Sequence, residues 1–435
     1  ELFNEVNYTD AYKQSPDLVR GWHADLAAFL ATHDPNDHLV TTCFGSGADL
    51  EDHAIWKQDG IDAMVTHIYG RELVPNLRQR LLLKRPFGKP NIGGEIGQSW
   101  PEADRADQLD PDGVSFHNAL WTSMAGGSAA TVLHWWPFRY LDPGDHYDQM
   151  RPLAAFCEGI DWPGEQFQDL QVKVERPKQG KGTRLATVLE WQPRGNDRYA
   201  LVDGQLWVTP DRPPVAGVVR EADADFRRHA SALPGLLFGS ANPKLNSQLE
   251  LALTCRQRGT LRIVLGAVAP TGATLAVAVG KAAARTYPLV DRDGQANPAA
   301  AELKQTIDIP LPAGDTTVTL RNTGAGWLSL REIVAETGTS ATGVLAFGLA
   351  GKTQAILWIH DRQNSWYARS EHGKPKPITD ATLALAGLPP GPYEIEWWDT
   401  QTGRIASRIT SDHPHCSIPT FVGDIAAKIR FTAKP

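Results

Sequence analysis

Residues 61–69 (IDAMVTHIY) and 90–97 (PNIGGEIG) follow one plan, an apolar run that delivers polar side chains at or near its end. Short, nearly continuous apolar runs bounded by Gly, Pro and polar residues suit strands covered on both faces, as in a parallel sheet. Two more runs of this kind flank them, LVTTCF at 39–44 and TVLHWW at 131–136. The segments between have helical spacing. Residues 15–33 begin with Ser15 at an N-cap position and Pro16 at the first helical position. They then set Leu18, Val19, Trp22, Leu26, Phe29 and Leu30 on one face. Residues 73–83, 116–124 and 150–160 carry the same pattern. Strand and helix alternating every ~25–40 residues, with aromatic and polar residues gathered at strand ends, point to a (β/α)8 barrel. No GxGxxG follows a strand, which removes the usual support for a nucleotide-binding doubly wound sheet.

Beyond residue 168 the texture changes. LQVKVE at 170–175, LRIVLGAV at 261–268, TLAVAV at 274–279, DTTVTLRN at 315–322 and LSLREIVAE at 328–336 are short strands separated by Gly, Pro, Asn and Asp turns. The small polar stretch TGTSAT at 337–342 reads as a linker. The spacing therefore predicts a strand–helix domain over 1–168, a jelly-roll-like β-sandwich over 169–338 and a second β-sandwich over 339–435.

The whole chain has 435 residues, 42% hydrophobic and 21% charged, enough apolar surface for packed cores in two to four domains. A net charge of -7 and no Lys/Arg-rich run leave nothing to hold a phosphate backbone, so nucleic acid is not an expected partner. No stretch approaches the ~18–20 apolar residues of a spanning helix, and no membrane partner is expected. Cys43, Cys157, Cys255 and Cys416 lie far apart without CxxC or Cys/His spacing. Buried free thiols are expected, with one long-range disulfide as the alternative. Asp291-Arg292-Asp293-Gly294 resembles part of a calcium loop but lacks the full ligand series, and a plain turn is expected. Neither a metal nor an organic cofactor is expected.

Chemistry concentrates at the strand ends. LFNEV at 2–6 delivers Asn4 and Glu5, and IGGEIG at 92–97 delivers Glu95. A carboxylate inside a Gly-flanked apolar run is costly to bury without a partner or a task, and glycines there let a ligand or a neighbouring strand approach closely. His67 and Tyr69 alternate on one strand and so point to one side, where a phenol can hold a carboxylate ionised and oriented. His134, Trp135 and Trp136 close the last run; an indole at such a mouth can stack on a sugar ring or fill the core.

LFNEV, THIYG at 66–70, GGEIG at 93–97 and LHWW at 133–136, in this order and spacing, resemble clan A glycoside hydrolases, most nearly the family five type of cellulase and β-mannanase relatives. The resemblance covers about residues 1–165 and implies that the four motifs end barrel strands four, six, seven and eight. The expected fold is then the C-terminal half of a (β/α)8 TIM barrel followed by two β-sandwich domains. It implies a retaining hydrolase of a β-linked glycan, with Glu5 as acid/base, Glu95 as nucleophile, Asn4 on the sugar 2-hydroxyl and Tyr69 supporting Glu95. Trp135 would be the stacking platform, with His67 and Trp136 lining the sugar site. Barrel strands one to three would lie outside residues 1–435, so the isolated chain is expected not to turn over polysaccharide.

Residues 215–336, with Leu237-Phe238-Gly239-Ser240 and the run around Trp327, resemble jelly-roll modules that accompany such enzymes. The last ~95 residues, with Trp358, Trp366 and YEIEWWDT at 393–400, resemble C-terminal sandwich domains of glycosidases. The expected partner is an oligo- or polysaccharide, and the expected location is extracellular or periplasmic. The alternative is a non-catalytic carbohydrate-binding or surface-adhesion protein with a remnant barrel. A metallohydrolase lacks an HExxH or comparable cluster.

Overall fold

The computed structural model describes residues 1–45, 51–98, 100–176, 182–191, 198–202, 205–209, 228–230, 232–338 and 343–431. Most of the expected linker, 339–342, lies outside them. Among the described residues, 1–176 and 343–431 form one compact unit and 182–338 form another, so the second is an insertion within the first. No helix among the described residues is long and apolar enough to cross a membrane.

In the first unit, β1 (Thr41–Thr42), β2 (Ala63–Tyr69) and β3 (Asn91–Gly97) form a parallel sheet in the order β1-β2-β3. All of β2 but its last residue is buried, as a continuous apolar run requires. Residues 2–6 run along β1 through Leu2 N–H to Thr41 O (2.6 Å) and Cys43 N–H to Phe3 O (3.2 Å). Residues 133–135 run along β3, with one parallel bridge between Ile96 and His134. The runs at 2–6 and 131–136 are thus shorter ladders than the sequence suggests. One reason is local: Glu5 adopts a left-handed conformation (φ 51°, ψ 49°) and opens a 3-10 turn over Val6–Tyr8, which ends the extended path.

Around this sheet lie α1 (Pro16–His33), α2 (Leu73–Lys84), α3 (Val114–Gly126) and α4 (Met150–Cys157). Pro16 begins α1 as expected, although the Ser15 side chain makes no capping bond. The buried stripe of α1 is Val19, His23 and Ala27, while Leu18, Trp22 and Phe29 are exposed. The apolar face read from the sequence is wider than the surface that covers it, so the seam is rotated toward smaller residues. Every residue of α3 is buried.

Beyond α4 the chain enters β4 (Gln168–Glu175), leaves for the inserted unit and returns as β5 (Val344–Ala350), β6 (Gln354–Asp361), β7 (Thr382–Ala386), β8 (Tyr393–Asp399), β9 (Arg404–Ser411), β10 (His415–Ser417) and β11 (Asp424–Phe431). These eight strands form one antiparallel sheet in the order β9-β8-β11-β6-β5-β4-β7-β10. Its two faces follow the period of two. Leu345, Phe347, Leu349, Ile356 and Trp358 pack with Leu77, Leu81, Phe116, Leu120 and Phe156 of the helices, whereas Ala355, Leu357, Ile359, Leu170 and Leu383 face a second core. Each large apolar side chain so buried contributes about 1.5–3 kcal/mol.

Two expectations change here. The boundary read at 168/169 separates β4 from its own sheet, because β4 pairs with β5 (Gly348 opposite Leu170) and with β7. Residues 343–431 also share a core with α2, α3 and α4 rather than forming a module apart. Alternation shows that a segment is a strand; it does not show which distant strand will pair with it.

The inserted unit is a two-sheet sandwich. Seven strands pair in the order Arg285–Leu289, Ala273–Val279, Gly314–Asn322, Gln248–Cys255, Arg198–Val202, Gln205–Thr209 and Arg228–His229. Five pair in the order Thr306–Leu311, Gly259–Val268, Trp327–Glu336, Thr183–Trp191 and Leu233–Phe238. Inward residues such as Leu251, Leu261, Ile263, Leu275, Val318 and Ile333 form one apolar core. All four cysteines are free, with Cys43 and Cys255 buried and Cys157 and Cys416 half-buried.

Candidate active site

The β2–β3 pair carries the first part of the site. Their register shifts at Thr66/His67, so that Thr66 faces Gly93 and His67 faces Glu95, with Gly94 as the extra residue of a bulge. A side chain at Gly94 would put its Cβ 2.3 Å from Val65 Cγ1. The bulge therefore needs glycine, and it is what turns Glu95 to the side of the sheet that His67 and Tyr69 occupy. The pattern GGEIG has this mechanical meaning.

Four side chains meet there. The Tyr69 hydroxyl donates to Glu95 Oε2 at 2.6 Å. His67 Nδ1 lies 3.0 Å from Glu5 Oε1 and 3.4 Å from Glu95 Oε2. One oxygen of each Glu and one ring nitrogen of His67 all lie within 4.8 Å of one another. His67 is almost fully enclosed, Glu95 nearly so, and the Glu5 side chain is 26% exposed, which makes Glu5 the outward end of the set. Burial, followed by the Glu95 carboxylate, holds the Tyr69 phenol far above its ordinary range, so it stays a protonated donor. The same three atoms are close enough together to share one cation.

The remaining expected residues take distinct places. Asn4 is exposed, and its Oδ1 accepts from the Cys43 thiol at 3.3 Å. Trp136, not Trp135, lies against Tyr69, with ring centroids 5.7 Å apart. It is buried, and its Nε1 would stand 2.6 Å from a Cβ placed on Gly97, so Gly97 makes room for the indole. Trp135 points away and is 41% exposed, free to offer a face to solvent. Adjacent residues on an extended segment face opposite sides, which is why one tryptophan packs and the other does not. One feature was missed at the sequence level. Cys43 reads as a small core residue in LVTTCF, yet its sulfur accepts the Glu5 N–H at 3.0 Å. His134 is buried, and burial pushes its imidazole down to about 3, so it is a neutral packed ring.

No family model matches the chain, and no curated protein matches it by sequence. Three of the solved structures it is similar to are a family 35 carbohydrate-binding module from an environmental isolate, a cycloisomaltooligosaccharide glucanotransferase from Paenibacillus sp., and a β-porphyranase of glycoside hydrolase family 86 from Bacteroides plebeius. The first is 19% identical over 20% of this chain and 64% of that one, TM-score 0.17. The second is 8% identical over 94% and 58%, TM-score 0.28. The third is 13% identical over 77% and 78%, TM-score 0.23. The chain spans less than two thirds of the length of the first two. Likeness at such scores carries no functional weight, and the chemistry of the site is read from its own residues.

Proposed function

We propose that residues 1–165 are the C-terminal half of a (β/α)8 catalytic barrel of the clan A type, and that the chain belongs to a retaining glycoside hydrolase acting on a β-linked glycan. The observation that carries this reading is the convergence of Glu5 and Glu95 on His67, 90 residues apart in sequence and with carboxylate oxygens within 4.8 Å. A retaining pair sits at ~5–5.5 Å and an inverting pair at ~6.5–9.5 Å, leaving room for a water.

Glu95 attacks the anomeric carbon while Glu5 protonates the departing oxygen, leaving the sugar esterified to Glu95; Glu5 then takes a proton from a water whose oxygen attacks the same carbon, and the Glu95 carboxylate leaves. Tyr69 fixes one oxygen of Glu95 and leaves the other for attack. Asn4 Oδ1 is engaged by Cys43, so its amide N–H groups serve the sugar 2-hydroxyl. Trp135 supplies the apolar face for the sugar, and Trp136 holds Tyr69 in place.

The test compares residues 1–435 as wild type, Glu95→Gln and Glu5→Ala on aryl β-glycosides with good and poor leaving groups. Slow turnover with retained anomeric configuration is expected, together with a loss on the order of 10⁴-fold in Glu95→Gln. Glu5→Ala should lose turnover on the poor leaving group and keep most of it on the good one. An inverted product, or wild-type turnover in Glu95→Gln, sinks the reading. Sugar binding without turnover in every form favours the binding-protein alternative.

A further inference from the structure

Glu5 is the only candidate catalytic group held in a left-handed backbone conformation, at φ 51° and ψ 49°. A non-glycine residue persists there only when its surroundings hold it. Three bonds from one residue, Cys43, surround it. Cys43 N–H donates to Phe3 O at 3.2 Å, Cys43 O accepts from Val6 N–H at 3.3 Å, and Cys43 Sγ accepts the Glu5 N–H at 3.0 Å. The thiol in turn donates to Asn4 Oδ1 at 3.3 Å. The first two are main-chain bonds that any residue at 43 would make. The last two belong to the side chain, and they reach the two residues that the proposed mechanism places on the leaving group and the 2-hydroxyl.

We propose that Cys43 is a positioning residue whose sulfur aims Glu5 at the substrate. The inference rests on the reading of Glu5 as acid/base. The sulfur is fully buried and is not itself within the sugar-facing set. Burial, and next a hydrogen bond to the Glu1 carboxylate, keep the thiol protonated, so its one S–H is shared between Glu1 and Asn4, while the sulfur lone pair is left to the Glu5 N–H. If Cys43 were only a small apolar filler, alanine would replace it better than serine. A positioning role reverses that order, because serine keeps both the acceptor and the donor.

The experiment uses residues 1–435 as wild type, Cys43→Ala and Cys43→Ser, with Glu5→Ala alongside. On a phenyl β-glycoside, Cys43→Ala is expected to lose ~10–10²-fold in kcat with KM little changed, and less than ~3-fold on the dinitrophenyl analogue, because only the former needs acid assistance. Cys43→Ser should recover to within ~5-fold of wild type. By hydrogen exchange, the Glu5 amide should exchange at least ~10-fold faster in Cys43→Ala, while the Val6 amide, bonded to the Cys43 carbonyl, stays as in wild type. A Cys43→Ala variant as active as Cys43→Ser, or an unchanged Glu5 amide, overturns the proposal. Wild-type turnover of the phenyl glycoside in Glu5→Ala refutes the acid/base reading instead. In that case, or if no glycoside is turned over, the Glu5 amide alone decides whether Cys43 holds this backbone.

Discussion

The inserted sandwich and the unit it interrupts use the same apolar side chains to opposite ends. In the sandwich, the buried polar side chains among the described residues are the uncharged Thr183, Thr316, Asn322, Ser329 and Thr337. Its charged pairs, such as Arg262 with Asp308 at 2.8 Å, lie on the surface. The interrupted unit buries Glu51, Asp52, Lys84, Glu95, Asp110 and Asp424. Each costs free energy to desolvate and is kept only with partners. A core free of charge is specified by shape, whereas one threaded with charges is specified by pairing, and the latter is where chemistry can reside.

The largest test of this contrast falls on Asp424 in β11. It pairs with His117 of α3 at 3.1 Å, accepts from Asn364 at 3.1 Å, and is bonded by Thr400, with His360 close by. Burial, the largest single influence, would raise this carboxyl, but His117, Thr400 and His360 together outweigh it and hold the group below its ordinary range. Its contribution is therefore present above the unfolded value of ~3.9 and is lost as pH falls through the lower folded value. Asp424→Ala should cost about 3–5 kcal/mol at neutral pH and flatten the acid limb of stability. Hydrogen exchange should show faster amides in α3 and β11, with Gln248–Cys255 unaffected. Equal loosening of both regions would mean that they do not unfold separately.

In the sandwich the corresponding break is Ile263→Ala, a fully buried position in a purely apolar core. A loss of about 3 kcal/mol with no change in the acid limb is expected from cavity formation. A pH-dependent loss would undo the contrast. Tyr69→Phe is smaller in free energy and purely functional: removing the 2.6 Å donor to Glu95 should lower kcat ~10²-fold, equal to about 2.7 kcal/mol, while thermal melting stays near wild type. Melting that falls in step with activity would make Tyr69 a structural residue. The least effect belongs to Arg262→Ala, which removes an exposed pair and should leave melting unchanged in low and high salt alike.

The parts of this molecule legible in its sequence are those set by local rules. THIY and GGEIG mark strand ends because a charge inside a glycine-flanked apolar run has few other uses, and the structure brings Glu5, His67, Tyr69 and Glu95 together. The turn at Asp291–Gly294 is also local, with the Asp293 and Gly294 N–H groups both donating to Asp291. What escaped depends on distant partners. Nothing near β4 says that its neighbours are β5 and β7, and nothing near His117 points to Asp424, 307 residues away. The choice between Trp135 and Trp136 turned on which one Gly97 made room for, a contact between separate segments.

The position of β4 has a consequence in time. Its partner β5 begins at Val344, so a ribosome adding ~5–20 residues per second finishes the partner roughly 10–30 s after β4 has emerged. Throughout that interval β4 has no neighbour, and by its end the inserted sandwich is complete and free to fold. Made later still, β11 then brings Asp424 to His117, on a helix synthesised some 300 residues earlier. A chain stopped short of about residue 420 would own Glu5, His67, Tyr69 and Glu95 and still lack the strand that locks α3 against the sheet. Synthesis through β11 is thereby written into the fold as a condition for its stability.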